Sequence, residues 1–432
     1  MMEIFKENLI SYLAGGPQEE SVVERTSRLI NKSEKSDFDF TFPGASKKDT
    51  WEKCFGKEGK KCSFDGLFKI EQEPNDPGFS NSFIWPISEI QINNDLVFLK
   101  LDRNYVFTSI IKEIYTDGIA VPKVENKTNI CLVNCELTRN STQNTFSQLN
   151  QLRVNQICLA LCRLLSSCNH SIVSKDSANS VIKLGCSDQN HLRKTEQDIP
   201  LKVGQVSVKN VTNTQGYFNV IDLYFLMCNK MLEIASERES KGSQHDLLKR
   251  TKMIASSEMQ MLLLSKNIDR PVNLPNLESA SNTPSDASFI LYNYARITQL
   301  VYSFKCQKQK YGEILPLKNV EFSYLREPEE WNIVFDVILP YQELITEISK
   351  IKFTEKQCST NINKYLARLC ALLTKLSNTY SKYYRRVRVL REGPQGHSVI
   401  QTLNARLYLI LVIKNVFDHG LGILGVHPVD YM

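Results

Sequence analysis

Two stretches near the carboxyl end decide how this chain folds: KYLARLCALLTKLSNTYSKYYRRVRVL at 364–390 and LNARLYLILVIKNVFDHGLGILGVHPVDYM at 403–432. In and around the first, Ile362, Leu366, Leu369, Leu373, Leu376, Tyr380, Tyr383 and Val387 recur at helical spacing. Such a stripe must bury itself against other helices. The second is apolar nearly all round over 403–417, as a helix inside a bundle is, and Gly420 stands where a helix-ending glycine is expected. Lys382, Arg385, Arg386, Arg388 and Arg391 crowd around Tyr380, Tyr383 and Tyr384 at the end of the first helix. Cations beside ring faces suit an RNA loop, the cations taking phosphates and the rings taking unstacked bases. A solvated basic helix end beside core tyrosines has the same composition.

The chain has 432 residues, which predicts two or three domains and a sizeable core. With 42% apolar residues, 23% charged residues and a net charge of +6, it reads as an ordinary globular protein. The modest basic excess permits an acidic partner without requiring one. No apolar run reads as long enough to span a bilayer, and the start MMEIFKENLI lacks a basic-then-apolar signal, so a soluble cytoplasmic protein is expected. Twelve cysteines include Cys131, Cys135, Cys158, Cys162 and Cys168 at ligand-like spacing. Cys158 and Cys162 lie one helical turn apart in an apolar pattern, however, and free cysteine behaves as a small buried hydrophobe. The ligand pairings of structural zinc sites are missing, so neither metal nor cofactor is expected. Six scattered histidines, no G-x-S-x-G and no G-x-x-x-x-G-K argue against a hydrolase triad and a phosphate-cradling loop.

Along the chain, Ile4, Phe5, Leu9, Tyr12 and Leu13 predict a helix broken at Gly15, Gly16 and Pro17, followed by a second, polar helical stretch. Residues 41–82 read mostly as irregular surface; the lysines at 53, 57, 60 and 61 are either a solvated run or an RNA contact. DLVFLKL then predicts a strand over 94–101, a helix follows through Val106, Ile110 and Ile114, and Gly118 ends it. A strand around Ile130, a polar loop and a helix over 153–165 come next. VGQVSVKNVT predicts a short strand near Val206. Helices dominate afterwards: one over 220–235 with Leu223, Leu226, Met227 and Met231 inward, one over 254–264, and one opened by Thr283, Pro284 and Asp286 that reads FILYNYARITQLV.

These residues resemble the arginyl-tRNA synthetases of class I, and above all their DALR anticodon-binding domain. The family reads F-N-x-F-Y-x-x-C-x-V-L before its last helices, where this chain has Tyr380, Tyr383, Tyr384, Val389 and Leu390, with Val387 in place of the cysteine. Its A-R-L is Ala405, Arg406 and Leu407, and its closing G-L-x-L-L-G-I…M is Gly420, Leu421, Ile423, Leu424, Gly425, Val426 and Met432. Y-L-Q-Y-A-x-A-R-I corresponds to 289–297, from Phe289 through Tyr292, Tyr294 and Arg296. The strand over 94–101 resembles the end of the synthetase amino-terminal domain without its glycine and first Phe. The helix ending Leu159, Ala160, Leu161, Cys162, Arg163, Leu164, Leu165 resembles the one behind the catalytic H-x-G-H. That motif itself is replaced by Gln148, Leu149, Asn150 and Gln151, ahead of Leu152 and Arg153. Neither leucine nor an amide can do what those histidines do for ATP phosphates. Gly204, Val206, Ser207 and Lys209 stand where a relic of the mobile K-M-S-K-S-like loop would fall, although a plain short strand is the preferred reading there.

The resemblance implies a mostly α chain: an amino-terminal α+β region over 1–128, a degenerate α/β remnant of the catalytic domain over 129–240, and a DALR helical bundle over 241–432. It implies tRNA contacts at Phe289, Tyr292, Arg296, Tyr380, Tyr384, Arg385, Arg386, Arg388 and Met432. Packing of Phe289 and Tyr292 into the core is the other reading of those two rings. Non-catalytic animal members of the family are understood to present arginine tRNAs to a methyltransferase that forms 3-methylcytidine. The expected partners are therefore arginine tRNAs and that tRNA methyltransferase. An active arginyl-tRNA synthetase and a structural partner in a synthetase assembly are the alternatives.

Overall fold

A computed structural model describes residues 2–428 apart from 15–17, 19, 35–36, 56–82, 94, 120, 122–127, 136–144, 187–191, 193–197, 209–219, 237–243, 275–285 and 391–395. Lys57, Lys60, Lys61, Lys209, Thr283, Pro284, Arg391 and Met432 therefore lie outside the described residues. The chain divides into two compact units, one comprising residues 1–112 and 320–326, the other 113–319 and 327–432.

In the first unit, β1 (Asn31–Lys32), β2 (Phe40–Pro43), β3 (Ile87–Asn93) and β4 (Leu96–Leu101) form an antiparallel sheet in the order β1-β2-β4-β3. Helix α1 (Met2–Leu13) lays Phe5 against it, with ring centroids 5.1 Å from Phe40 and 5.8 Å from Trp85. The polar helix α2 (Glu20–Thr26) follows as expected. Residues 41–55, read as irregular, instead carry the end of β2 and the helix α3 (Lys48–Phe55). Their lysines hide two aromatic anchors, since Trp51 is fully buried against Phe42 and donates its Nε1 hydrogen to the Pro43 carbonyl at 2.9 Å. β3 is a second surprise, because five of its seven residues are exposed. It pairs because the turn at Asp95, with φ of 64°, folds it back on β4. Helix α4 (Arg103–Asp117) ends at Gly118, whose φ of 77° suits a glycine.

The second unit opens with β5 (Asn129–Asn134), the helix α5 (Thr145–Ser167), β6 (Ser171–Ile172), β7 (Ser180–Gly185) and β8 (Asp198–Lys202). The strands form a parallel sheet ordered β6-β5-β7-β8, a small α/β layer of the kind a crossover helix builds. α5 begins eight residues earlier than the expected start at Arg153, so Gln148, Leu149, Asn150 and Gln151 lie on a helix rather than in a loop. β9 (Val206–Val208) pairs in parallel with β10 (Val272–Leu274), the plain-strand reading of that segment.

The helical part comprises α6 (Val220–Ser236), α7 (Gln244–Leu264), α8 (Asp286–Cys306), α9 (Pro328–Ile333), α10 (Leu339–Ser349), α11 (Asn363–Arg386) and α12 (His397–Leu424). The predicted stripe of α11 is buried from Ile362 through Val387. Two expectations about α12 are corrected. The helix runs through Gly420 and ends at Gly425, where φ is 73° and the Val426 amide donates to the Leu421 carbonyl at 2.9 Å. Gly420 serves packing instead, since a Cβ there would come within 2.8 Å of the Leu373 side chain on α11. By length and composition α12 is also long and apolar enough to cross a membrane, contrary to the sequence reading, yet 67% of its most apolar window is buried inside this unit.

Arg153 ties α5 to the loop before β9 and to the segment between α7 and β10. Its Nη1 donates to the carbonyls of Gly204 at 2.5 Å and Arg270 at 2.7 Å, its Nη2 to Asn267 at 3.2 Å and its Nε to Leu263 at 3.3 Å. Burial lowers the guanidinium pKa to about 10. Gly204 lets the segments close up, because a Cβ there would lie 2.3 Å from the Arg270 carbonyl. Gly204→Ala is thus expected to lower stability by about 1–3 kcal/mol through overpacking, read as a reduced urea midpoint at unchanged slope. A midpoint equal to wild type would show that the segments are free to part.

Candidate nucleic-acid interface

α8 and α11 run side by side in the same direction, since Asp286 and Thr374 line one groove while Arg296 and Tyr384 meet ten residues further along each helix. The inner side of α8 is fixed by polar locks. Asn293 is fully buried, and Tyr294 donates to Asp418 Oδ1 at 2.7 Å while Lys414 Nζ bridges Tyr294 and Asp418 at 3.1 and 2.7 Å. Burial and the Asp418 carboxylate push the Tyr294 hydroxyl above its ordinary range, so it stays a donor. With that side tied down, Phe289, Tyr292 and Arg296 share the opposite stripe at positions i, i+3 and i+7.

On that stripe the Arg296 guanidinium lies between two rings, 4.5 Å from the Tyr292 centroid and 4.4 Å from the Tyr384 centroid. It also donates from Nη2 to the Tyr292 hydroxyl. Tyr292 is 40% exposed and Tyr384 39% exposed, so both rings reach solvent. Arg296 makes no ion pair among the described residues, which leaves most of its donors for a ligand. A cation between two ring faces is attracted to both, and the arrangement presents a ready stacking surface whose central layer is charged.

Beneath the stack lies a polar knot that the sequence reading missed. The buried Glu330 accepts at Oε1 from Arg406 Nε at 2.8 Å and from the Tyr383 hydroxyl at 3.2 Å, and at Oε2 from the Glu327 amide at 2.9 Å. Arg406 also reaches Glu327 Oε1 at 3.5 Å and the Arg388 carbonyl at 3.4 Å. Burial raises the Glu330 carboxyl pKa, opposed by the Glu327 amide, Arg406 and Tyr383. The knot joins the start of α9, the end of α11 and the middle of α12. It therefore sets where the chain carrying Tyr384, Arg385, Arg386 and Arg388 leaves the bundle. The legible hints were Arg406, a polar residue inside an apolar helix, and the two glutamates after Pro328, whose spacing from Glu327 makes a capping box.

The expected contact residues divide accordingly. Tyr292, Arg296 and Tyr384 come together, and Phe289 sits half-buried one turn before them. Tyr380 is fully buried on the apolar stripe, its centroid 6.0 Å from that of Tyr384, so it supports the outer ring instead of meeting RNA. Arg385 and Arg388 are exposed, with Arg385 Nε donating to the Ser381 carbonyl at 3.2 Å. Arg386 is exposed but paired with Glu329, which discounts it as a free cation. Met432 lies outside the described residues.

In the segment 148–151 Gln148 is exposed, while the next two residues pack. Leu149 is 1% exposed, and Asn150 Oδ1 accepts the Val206 amide at 2.7 Å.

The DALR anticodon binding domain family matches residues 290–432. DALR anticodon-binding domain-containing protein 3 of Rattus norvegicus is 30% identical over 147 residues, covering 34% of this chain and 26% of the rat protein. The Danio rerio protein of the same name is 26% identical over 218 residues, covering 48% of this chain and 38% of that protein. The matched part thus spans about a quarter to two fifths of the length of these relatives. The crystal structure of arginyl-tRNA synthetase from Plasmodium falciparum superposes with a TM-score of 0.61 at 12% identity, covering 93% of this chain and 94% of that one, a likeness of fold alone. Residues 290–432 are therefore similar to the DALR anticodon binding domain family, in a chain with an arginyl-tRNA synthetase-like fold that is similar over this part to the animal DALR anticodon-binding domain-containing protein 3.

Proposed function

We propose that this chain is a non-catalytic adaptor that binds arginine tRNAs through its anticodon-binding domain and presents them to a methyltransferase forming 3-methylcytidine. The observation that carries the RNA-binding half is the exposed Tyr292–Arg296–Tyr384 stack, flanked by the cations Arg385 and Arg388. Rings for bases beside cations for phosphates are what an unpaired RNA loop requires. The non-catalytic half is supported by Asn150 and Arg153 in the segment 148–153, whose side chains are engaged in holding α5 to β9 and to the loop before β10. Arg153, with four of its five N–H donors given to backbone carbonyls, is held away from a transferring phosphoryl or adenylyl group. The adaptor reading follows from joining these: a domain that holds one tRNA family and one enzyme raises the local concentration of substrate without any chemistry of its own.

Nucleotide-resolution mapping of 3-methylcytidine in cells lacking the protein tests this. Arginine tRNAs are expected to lose the modification while other substrates of the same methyltransferase keep it. Residues 1–240 are expected to co-purify with the enzyme after ribonuclease treatment. Unchanged modification of arginine tRNAs would refute the adaptor role, and arginine-dependent ATP–pyrophosphate exchange by the purified chain would restore the synthetase alternative.

A further inference from the structure

A groove of about 540 Å³ opens between α7, α8 and α11, in the size range of sites that take a nucleoside-sized ligand. Ala367, Cys370 and Ala371 of α11 and Met261 and Leu262 of α7 give it apolar walls. Lys266 and Lys375 stand at its rim, both exposed and neither in an ion pair among the described residues. Thr374 and Asn378 add polar groups, and Asp286 at the start of α8 and Glu258 of α7, which accepts from Ser288 at 2.6 Å, add two carboxylates. From the groove, Lys375, Asn378, Lys382 and Arg385 continue along the exposed side of α11 at spacings of three, four and three, a polar stripe with three cations that leads to the turn carrying Tyr384. The helices run in parallel, so ten residues along each place the groove about 15 Å from the Tyr292–Arg296–Tyr384 stack.

We propose that this groove is a second nucleotide subsite, which seats an unstacked nucleotide of the same RNA loop roughly two or three positions from the base on the tyrosine stack. The inference rests on the RNA-binding reading above and adds to it a place, a direction of travel and a second set of residues. Flat apolar walls take the base, and Lys266 and Lys375 take the phosphates on either side of it. Continuity with the stack decides the class of occupant: Glu258 and Asp286 offset the two lysines inside the groove, but Lys382 and Arg385 extend the cations of its mouth along the path to the stack, which fits a polyanion, whereas an apolar peptide would leave these cations unused.

The test uses the full chain and a labelled anticodon stem–loop of an arginine tRNA, with 2-aminopurine placed at each loop position in turn. Ala371→Phe, which fills the groove, and the double variant Lys266→Ala/Lys375→Ala are each expected to weaken binding roughly tenfold. The lysine pair should also flatten the salt dependence by up to about 1.4 logarithmic units, at about 0.7 per phosphate. One 2-aminopurine position away from the tyrosine stack should change its emission on binding to wild type and fail to do so with Ala371→Phe. The surface lysine pair keeps the test open where the phenylalanine variant melts early. Wild-type affinity and salt slope in the lysine variant, with Tyr384→Ala still weakening the complex, would remove the groove as a subsite and leave the RNA-binding reading standing. No binding by the wild-type chain at any salt concentration would overturn both.

Discussion

Glu330→Ala is expected to destabilise the second unit by about 3–5 kcal/mol, the usual effect of removing one partner from a buried ion pair. The carboxylate is wholly buried and satisfies three donors, and its loss leaves the Arg406 guanidinium, 5% exposed, with only the longer contacts to Glu327 and the Arg388 carbonyl. Tyr383 and the Glu327 amide lose their acceptor at the same time. Urea unfolding should show the loss as a lower midpoint. Glu330→Gln keeps an acceptor for some of the donors and is expected to cost less. Combining Glu330→Leu with Arg406→Met should restore most of the stability, because a buried charge pair replaced by apolar groups of similar size is often neutral. A loss below about 1 kcal/mol in Glu330→Ala would mean that water reaches the knot and that it does not fix the exit of α11.

Tyr384→Ala is expected to weaken RNA binding by about 1–3 kcal/mol, and Tyr292→Ala by a similar amount, because each removes a face of the stack. Tyr384→Phe should be nearly neutral. Tyr292→Phe keeps the face but releases Arg296 from the hydroxyl it donates to, so a smaller loss is expected there. The two substitutions are not expected to add, since both rings act on one guanidinium. Charge reversal at Arg385 and Arg388 should flatten the salt slope by up to about 1.4, while reversal at Arg386 adds little because Glu329 already pairs with it. Binding that is unchanged in both alanine variants, with both proteins folded, would assign the rings to protein contact.

Arg153 and Arg406 show how one residue type carries different information in this chain. Both lie in segments that resemble synthetase motifs, and both are buried. Arg153 closes four backbone carbonyls from two loops and a helix end, and Arg406 closes a carboxylate. Nothing local announces these partners, which lie 51 to 117 residues away for Arg153 and 76 for Arg406 along Glu330.

The sequence alone determined the helices whose apolar residues repeat on one side. The stripe of α11, the all-round apolar α12 and the α8 segment carrying Tyr292 and Arg296 are visible because burial of one face imposes a period of about 3.6 residues on the chain. It also determined which rings and cations share the end of α11. Tertiary structure decided the rest. It put Tyr380 under Tyr384 and placed Arg296 between two rings from different helices, because a side chain's exposure depends on which neighbour covers it. It extended α12 past Gly420, where contact with Leu373 outweighs the glycine's preference for a helix end, and moved the stop to Gly425. It formed β3 from a mostly exposed segment, since pairing with β4 supplies the hydrogen bonds that burial does not record. Partners distant in sequence leave no periodic trace, and only the folded chain brings them within hydrogen-bonding reach.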